Sequence, residues 1–132
     1  MIYFISGHRD LSKKDFDRYY IPAINKAVTS HWNAEFVVGD CDGVDKMAMD
    51  YIANNLSNKL TIYHMFETPR NTPNGWNIGD CKESDILFEG GFTSDECRDS
   101  AMTSMSDFDI AFVFNNRWNS GTAQNIKRRH DA

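Results

Sequence analysis

After Met1 the chain reads Ile2-Tyr3-Phe4-Ile5-Ser6-Gly7, a short apolar run typical of a β-strand that leads directly into a turn with glycine. A helix is predicted to follow. Ser12 is placed to cap it, and apolar residues recur at helical spacing from Phe16 to Val28. Pro22 lies inside this spacing, so we expect the helix to be kinked or divided in two there.

The same alternation of strand and helix continues along the chain. We expect a second strand at residues 35–38, a third at 60–66, a fourth at 108–114 and a smaller one at 86–88. Further helices are expected after Asp42, Thr93 and Ser120. Strands that alternate with helices form a mostly parallel sheet, and right-handed crossovers limit its topology. The sequence therefore predicts a single α/β domain over residues 1–132. It would be Rossmann-like, with four or five strands in the order 3-2-1-4 and helices on both faces.

Composition excludes several classes of partner. The chain has 132 residues, of which 41% are hydrophobic and 25% charged, as in ordinary globular proteins. Its 14 basic and 19 acidic residues give a net charge of -5, which argues against binding long nucleic acid. No apolar run approaches the ~20 residues of a membrane span, and the short apolar start lacks the basic leader of a signal peptide. We therefore expect a cytoplasmic protein without membrane contact.

The cysteines Cys41, Cys81 and Cys97 are odd in number and have no C-x-x-C spacing. They are expected to be reduced thiols. No zinc-site spacing links them to a histidine, so we expect neither a metal nor another cofactor.

Three glycine-containing turns follow predicted strands: residues 6–9, 39–43 and 120–122. In a parallel sheet all three lie at the carboxyl edge, where ligands bind at the point of strand-order reversal, here between the first and fourth strands. Glycine lets backbone approach a ligand, and a helix that begins after such a turn points N–H groups at it. Arg9 and Arg98 could add positive charge. Each turn alone is more often plain turn chemistry, and Ser120 could simply be a helix cap, but three such turns at one edge are more informative. None matches the P-loop or the G-x-G-x-x-G fingerprint.

Several of these motifs carry a resemblance to a known family. The turn Ser6-Gly7-His8-Arg9-Asp10 resembles the opening turn of the SLOG superfamily, the Rossmann-like group that includes LOG and DprA-type domains. The stretch 39–48, with Gly39, Gly43 and Asp45, resembles its second-strand signature. Arg98 with Asp99 and Met102 resembles the pattern before the fourth strand, and Gly121-Thr122 resembles the closing Gly-Thr motif. The small YspA-like (cpYpsA-related) proteins are the most similar group.

This resemblance implies binding of a nucleotide or nucleotide-derived molecule, such as a cyclic nucleotide or an ADP-ribose-type signal, for sensing or sequestration. The alternative is an N-glycosidase, similar to a phosphoribohydrolase, that acts on nucleoside monophosphates. In LOG enzymes glutamates follow the Gly-Thr turn, whereas here Ala123, Gln124 and Asn125 do so, which disfavours the enzyme. His8 and Asp45 are the remaining candidate catalytic residues. Glu83, Glu89 and Glu96 are the other carboxylates that could replace the missing glutamates.

The other candidates each have a structural alternative. Asp40, Asp42 and Asp45 could hold Mg²⁺ against a phosphate, but a helix cap and an ordered turn are the expectation. Trp118 is the preferred candidate for stacking on a base, and Trp76 could close over a base or pin its loop to the core. The sequence leaves self-association open. The predicted ligand-binding residues are Ser6, Gly7, His8, Arg9, Gly39, Asp40, Asp42, Gly43, Asp45, Arg98, Trp118, Ser120, Gly121 and Thr122.

Overall fold

The computed structural model describes residues 1–76 and 85–131, and these form a five-stranded parallel sheet with helices on both faces. The strands are β1 (Ile2–Ser6), β2 (Glu35–Val38), β3 (Leu60–Met65), β4 (Ile86–Phe92) and β5 (Phe108–Ala111). The helices are α1 (Lys13–Asp15), α2 (Ile21–Ser30), α3 (Val44–Asn55), α4 (Asp95–Met105) and α5 (Gly121–Asp131), with a π-helical turn (Phe16–Tyr20) between α1 and α2. The predicted α/β, Rossmann-like class is confirmed.

The strand order is β4-β3-β2-β1-β5 and differs from the predicted order 3-2-1-4 at one edge. The small strand expected at 86–88 is a full strand, β4, and it pairs in parallel with β3. The predicted fourth strand is β5, which pairs with β1. The order therefore still reverses between β1 and the last strand, where the sequence places the ligand site.

Both faces of the sheet are covered. Ile5 and Phe36 are fully buried in a core shared with α2 and α3, which supply Ile24 and Ile52. On the opposite face Phe4 and its neighbours pack against Met102 of α4 in a smaller core. Because neighbouring strand residues point to opposite faces, Phe4 and Ile5 anchor one helical layer each.

The helix starts show which local predictions were right. The Ser12 hydroxyl accepts the Asp15 N–H at 3.1 Å, as predicted. Pro22 lies in the first turn of α2, directly after the π-helical turn, so the helix is divided as expected. The start of α4 was predicted wrongly. Its cap is Ser94, which accepts the Cys97 N–H at 3.0 Å, and not Thr93.

Two strand predictions were wrong in detail. The last strand ends at Ala111 instead of residue 114, and β3 ends one residue before Phe66. β5 is an edge strand, and its Phe108 is 44% exposed although the apolar sequence of this strand is typical of one covered on both faces. The apolar run beyond Ala111 packs elsewhere, since Phe112 and Phe114 lie against the main core.

The segment after β3 is hydrogen-bonded to α3. Lys46 Nζ donates to Thr72 O at 2.7 Å and to Asn74 Oδ1 at 2.9 Å. Trp76 packs against the main core, which favours the pinning role over closure on a base. Cys81 and Glu83 lie outside the described residues. None of the helices described is long and apolar enough to span a bilayer.

Candidate functional site

A cavity of about 550 Å³ opens at the carboxyl edge of the sheet, beside the reversal of strand order between β1 and β5. Its walls come from the end of β1 and the loop after it, the end of β2, and the first turns of α3, α4 and α5. Loops that are far apart in sequence therefore meet here, because all the strands are parallel.

The structure brings most of the predicted site residues to this cavity. Those that line it are Ser6, Gly7, His8, Arg9, Gly39, Asp45, Arg98, Ser120, Gly121 and Thr122. The predicted residues that do not line it are Asp40, Asp42, Gly43 and Trp118. Each of these four residues lies outside the cavity lining for a different structural reason.

Gly43 serves the close approach of two loops. It has a φ of +76°, and a Cβ at this position would lie 2.3 Å from Arg9 O. Glycine is therefore required by backbone packing under the cavity and not by a ligand. Asp42 does not cap α3, because no side chain caps that helix and Asp42 Oδ1 instead accepts from Asn71 Nδ2 at 3.0 Å.

Asp40 lies behind the cavity, fully buried, as the partner of two arginines. Arg98 Nη1 and Arg70 Nη2 each donate to Asp40 Oδ1 at 2.8 Å. Burial raises the pKa of Asp40, but the hydrogen bonds and charge of Arg70, together with the charge of Arg98, lower it by more. The net pKa lies below its ordinary value, so Asp40 is a permanent negative charge.

Arg98 lines the cavity, but its donors are already engaged. Its Nε and Nη2 donate to Asp99 Oδ1 at 3.1 and 2.9 Å, while Nη1 contacts Asp40 and lies 3.1 Å from Asp95 Oδ1. Such a buried, multiply paired guanidinium is costly to remove from its carboxylates. Contact of Arg98 with a phosphate stays a prediction, and the visible role of Arg98 is to order the wall of the cavity.

Asp45 is the most perturbed carboxyl group of the cavity. Its Oδ2 accepts the Cys41 N–H at 3.1 Å, and the same oxygen would lie 2.6 Å from a Cβ at Gly39. Burial raises the pKa of Asp45 to about 7, against the lowering effect of Arg98. A carboxyl group with such a pKa exchanges a proton near neutrality, and perturbed groups of this kind are concentrated at functional sites.

His8 joins two loops at the edge of the cavity. Its Nε2 accepts the Phe114 N–H at 3.0 Å, and the residue is 3% exposed. Burial, followed by the charge of Arg117, lowers the pKa of His8. The ring is therefore neutral near pH 7, with the Nε2 lone pair in use. Acid–base chemistry by His8 stays a prediction, and its visible role is structural.

Two arginines on the rim of the cavity are more available than Arg98. Arg9 Nη2 pairs with Asp95 Oδ2 at 3.0 Å, and Arg117 Nη1 pairs with Asp10 Oδ1 at 2.6 Å. The side chains of these pairs are between 39% and 73% exposed. Exposed pairs contribute only about 0–1 kcal/mol each, so an incoming anion can replace the aspartate at small cost.

The first turn of α5 faces the cavity. The Ser120 hydroxyl accepts the Ala123 N–H at 3.2 Å and its carbonyl accepts the Gln124 N–H at 3.0 Å, so Ser120 is the helix cap. Within the described residues, no acceptor contacts the N–H groups of Gly121 or Thr122. A Cβ at Gly121 would meet no atom within 4 Å. This turn therefore offers free N–H groups beside open space.

Trp118 is 68% exposed and lies outside the cavity lining, although its neighbours Arg117 and Ser120 belong to it. A base that stacks on this indole would have to project beyond the cavity. The stacking role of Trp118 therefore stays a prediction.

Sequence reasoning missed several lining residues: Phe4, Asp10, Cys41, Asp95, Arg117 and Asn125. Asn125 had a usable signal, since it lies one helical turn after Gly121 and its Nδ2 donates to Asp99 Oδ2 at 3.2 Å. Asp95 had one too, three residues before Arg98 on the same helix face. Arg117 had none, because only the folded loop carries it to the rim.

The described alternative carboxylates lie outside the cavity lining. Glu89 and Glu96 do not line the cavity, whose acidic residues are Asp10, Asp45, Asp95 and Asp99. Among residues 1–76 and 85–131, no group of three or more His, Cys, Asp or Glu side chains has a metal-holding arrangement.

Comparison with known proteins gave no match to any family model, curated protein or solved structure. The resemblance to the SLOG superfamily therefore stays a prediction from the motifs.

Proposed function

We propose that the cavity binds a nucleotide or nucleotide-derived small molecule, as the similarity of its motifs to SLOG proteins implies. The observation that carries the proposal is the meeting of the β1 loop, the end of β2 and the free first turn of α5 around one cavity of about 550 Å³. That volume lies within the range of small-molecule sites.

The anionic group of the ligand would bind at the first turn of α5. There the N–H groups of Gly121 and Thr122 and the positive end of the helix dipole favour a phosphate. Arg9 and Arg117 can turn to it from the rim, because their present partners Asp95 and Asp10 are exposed. Arg98 would keep the wall in place without contacting the phosphate.

We favour ligand binding without catalytic turnover as the function of this cavity. Gln124 follows the Gly-Thr turn but does not line the cavity, so it offers no replacement for a catalytic glutamate. The cellular role we propose is the sensing or sequestering of a nucleotide signal in the cytoplasm.

The N-glycosidase alternative is favoured by one observation, the buried carboxyl group of Asp45 with its pKa near 7 in the cavity lining. A carboxyl group in that state can act as a general acid at neutral pH. Incubation with nucleoside monophosphates distinguishes the two activities. Release of free base that is lost in Asp45→Asn would favour the enzyme, and no release would favour the binding module.

Substitutions at Gly121 test the proposed site. Gly121→Asp would place a carboxylate where the phosphate is expected, while Gly121→Asn is its neutral match, and both have open space. A ligand at about 100 times its Kd adds roughly 2.7 kcal/mol of stability, which raises the melting temperature of the wild type.

We expect this thermal shift with nucleotides in the wild type and in Gly121→Asn, and its loss in Gly121→Asp. The unliganded Gly121→Asp variant should be no less stable, because an acidic residue suits the first turn of a helix. Equal ligand affinity in the two variants would contradict the proposed phosphate position.

A further inference from the structure

The end of β1 and the end of β2 lie side by side beneath the cavity. The register pairs Ile5 with Val38, so the next residues, Ser6 and Gly39, are neighbours on adjacent strands. Adjacent strands are about 4.8 Å apart, and register neighbours direct their Cα–Cβ bonds to the same face. Ser6 and Gly39 therefore belong to one face, and both line the cavity.

The missing side chain of Gly39 leaves room for a carboxylate. A Cβ at Gly39 would lie 2.6 Å from Asp45 Oδ2 and 2.9 Å from Arg98 Cζ. The carboxylate of Asp45 thus lies over Gly39, one strand away from Ser6. We call Ser6, Gly39 and Asp45 the floor of the cavity.

Ser6 has a buried hydroxyl without a partner. The residue is 6% exposed, and within the described residues no atom hydrogen-bonds to its Oγ. Its carbonyl is satisfied by the Tyr20 hydroxyl at 2.8 Å, so the unmet group is the side chain alone. Buried polar groups are nearly always hydrogen-bonded, so an unpaired hydroxyl in a cavity lining is a position where a bound group could donate or accept a hydrogen bond.

The charges around the floor identify the kind of group. Asp45 and Asp99 line this side of the cavity, and the buried cation between them, Arg98, already donates to Asp99 and Asp40. An anionic oxygen at the floor would face carboxylates without a free positive partner. A hydroxyl group fits, because it can donate to Asp45 and accept from Ser6 at once.

We propose that Ser6 and Asp45 together bind a hydroxyl group of the ligand, so that the cavity selects sugar phosphates with intact hydroxyl groups and prefers ribonucleotides to 2′-deoxyribonucleotides. The inference rests on the proposed function, since it assumes that the phosphate lies at α5. It adds the specificity of that site. The backbones of Ser6 and Gly39 are one strand spacing apart, ~4.8 Å, and the Asp45 carboxylate lies next to Gly39, so a hydroxyl group has room to bind between them.

Calorimetric titration tests the preference directly. The probes are the four ribonucleoside monophosphates and their 2′-deoxy and 2′,3′-dideoxy counterparts, used at about pH 8, where the carboxylate of Asp45 is ionised. Loss of a hydrogen bond to a charged group should weaken binding of the best ligand by roughly 10- to 150-fold in the deoxy or dideoxy form.

Variants assign the preference to the floor. Ser6→Ala and Asp45→Asn should each reduce the ratio of ribo to deoxy affinity while the dideoxy nucleotide still binds. Thr103→Val is the matched control, because the Thr103 hydroxyl is also buried and unpartnered but does not line the cavity. It should leave the ratio unchanged.

Each outcome decides between the two proposals. Equal affinity for all three sugar forms overturns the hydroxyl inference and leaves nucleotide binding in place. An unchanged preference in both Ser6→Ala and Asp45→Asn also overturns it, because another residue then reads the sugar. Absence of binding by every nucleotide overturns both proposals.

Discussion

Arg98 Nη1 donates to Asp40 Oδ1 across 2.8 Å, and the two side chains are only 4% and 0% exposed. This pair joins the first turn of α4 to the end of β2. The Asp40 carboxylate lies behind the cavity and neutralises the buried Arg98 guanidinium that lines it. Inside the site, the positive charge of Arg98 is therefore already neutralised by carboxylates of the protein. Of the three arginines in the cavity lining, Arg9 and Arg117 have exposed partners and lie at the rim.

Loss of this buried pair should be costly. Arg98→Met removes one of the two arginine partners of Asp40 and the arginine partner of Asp99. Breaking one side of a buried ion pair typically costs about 3–5 kcal/mol, and because Arg70 still pairs with Asp40 we expect a loss near the lower end of that range. Urea unfolding measures the difference in free energy of unfolding. Arg9→Met is the matched control and should change stability by less than about 1 kcal/mol, because its pair with Asp95 is exposed. Equal effects of the two substitutions would contradict the buried arrangement.

Gly43 should not tolerate a side chain. Gly43→Ala combines a φ of +76° with a Cβ only 2.3 Å from Arg9 O, so we expect a loss of roughly 2 kcal/mol or more in unfolding free energy. Gly75→Ala is the control, because its φ is similar at +81° but no atom of residues 1–76 or 85–131 lies within 4 Å of the added Cβ. It should cost only the backbone strain, about 1 kcal/mol. Thermal denaturation of both variants tests whether crowding adds to strain.

The Tyr20 hydroxyl ties the ends of β1 and β5 together. It donates to Ser6 O at 2.8 Å and accepts the Phe112 N–H at 3.1 Å in the buried interior. Tyr20→Phe leaves both backbone groups unpaired, and we expect a loss of about 1–3 kcal/mol in unfolding free energy. Tyr51→Phe removes an exposed hydrogen bond to Asn25 and should have a much smaller effect. Similar losses in the two variants would show that the buried bridge contributes little.

The raised pKa of Asp45 predicts a pH dependence with a definite sign. In the unfolded chain its pKa is about 3.9, whereas burial raises it to about 7 in the fold, so the folded state holds an extra proton between these values. Stability from this group is complete below pH ~4 and declines as the pH rises towards ~7, by at most about 1.4 kcal/mol per pH unit.

Asp45→Asn isolates this contribution, because the other titrating groups are common to both proteins. The free energy of unfolding of the wild type minus that of the variant should fall between about pH 4.5 and pH 7 and then level off. Urea titrations at several pH values measure it. A difference that stays constant with pH would mean that the carboxyl group of Asp45 titrates normally in the fold.

The sequence predicted the sheet better than the turns. Alternating apolar runs and helix starts were sufficient to predict the α/β class and the reversal of strand order beside β1. Both features follow from the local sequence pattern. β4 was underestimated, since its Glu89, Gly90 and Gly91 interrupt the apolar run. Its pairing with β3 is a tertiary contact that the local pattern does not contain.

The roles of the site residues were harder to predict than their positions. Gly39, Gly43 and Gly121 look alike in sequence, but one makes room for Asp45, one lets two loops touch and one faces open space. Likewise Arg9 and Arg98 are both arginines near the predicted edge, yet their side chains are 62% and 4% exposed. Sequence gives the residue type, and burial decides whether its charge is available.

By itself, the sequence determined the α/β class, the parallel alternation and the edge at which the loops gather, because hydrophobic periodicity and glycine turns act over neighbouring residues. Which charges meet depends on the folded chain. Asp40 with Arg98, Asp10 with Arg117 and Ser6 beside Gly39 are brought together by strand pairing across long sequence separations. Electrostatic and hydrogen-bond energies depend on distance and burial, and neither quantity exists until the chain has folded.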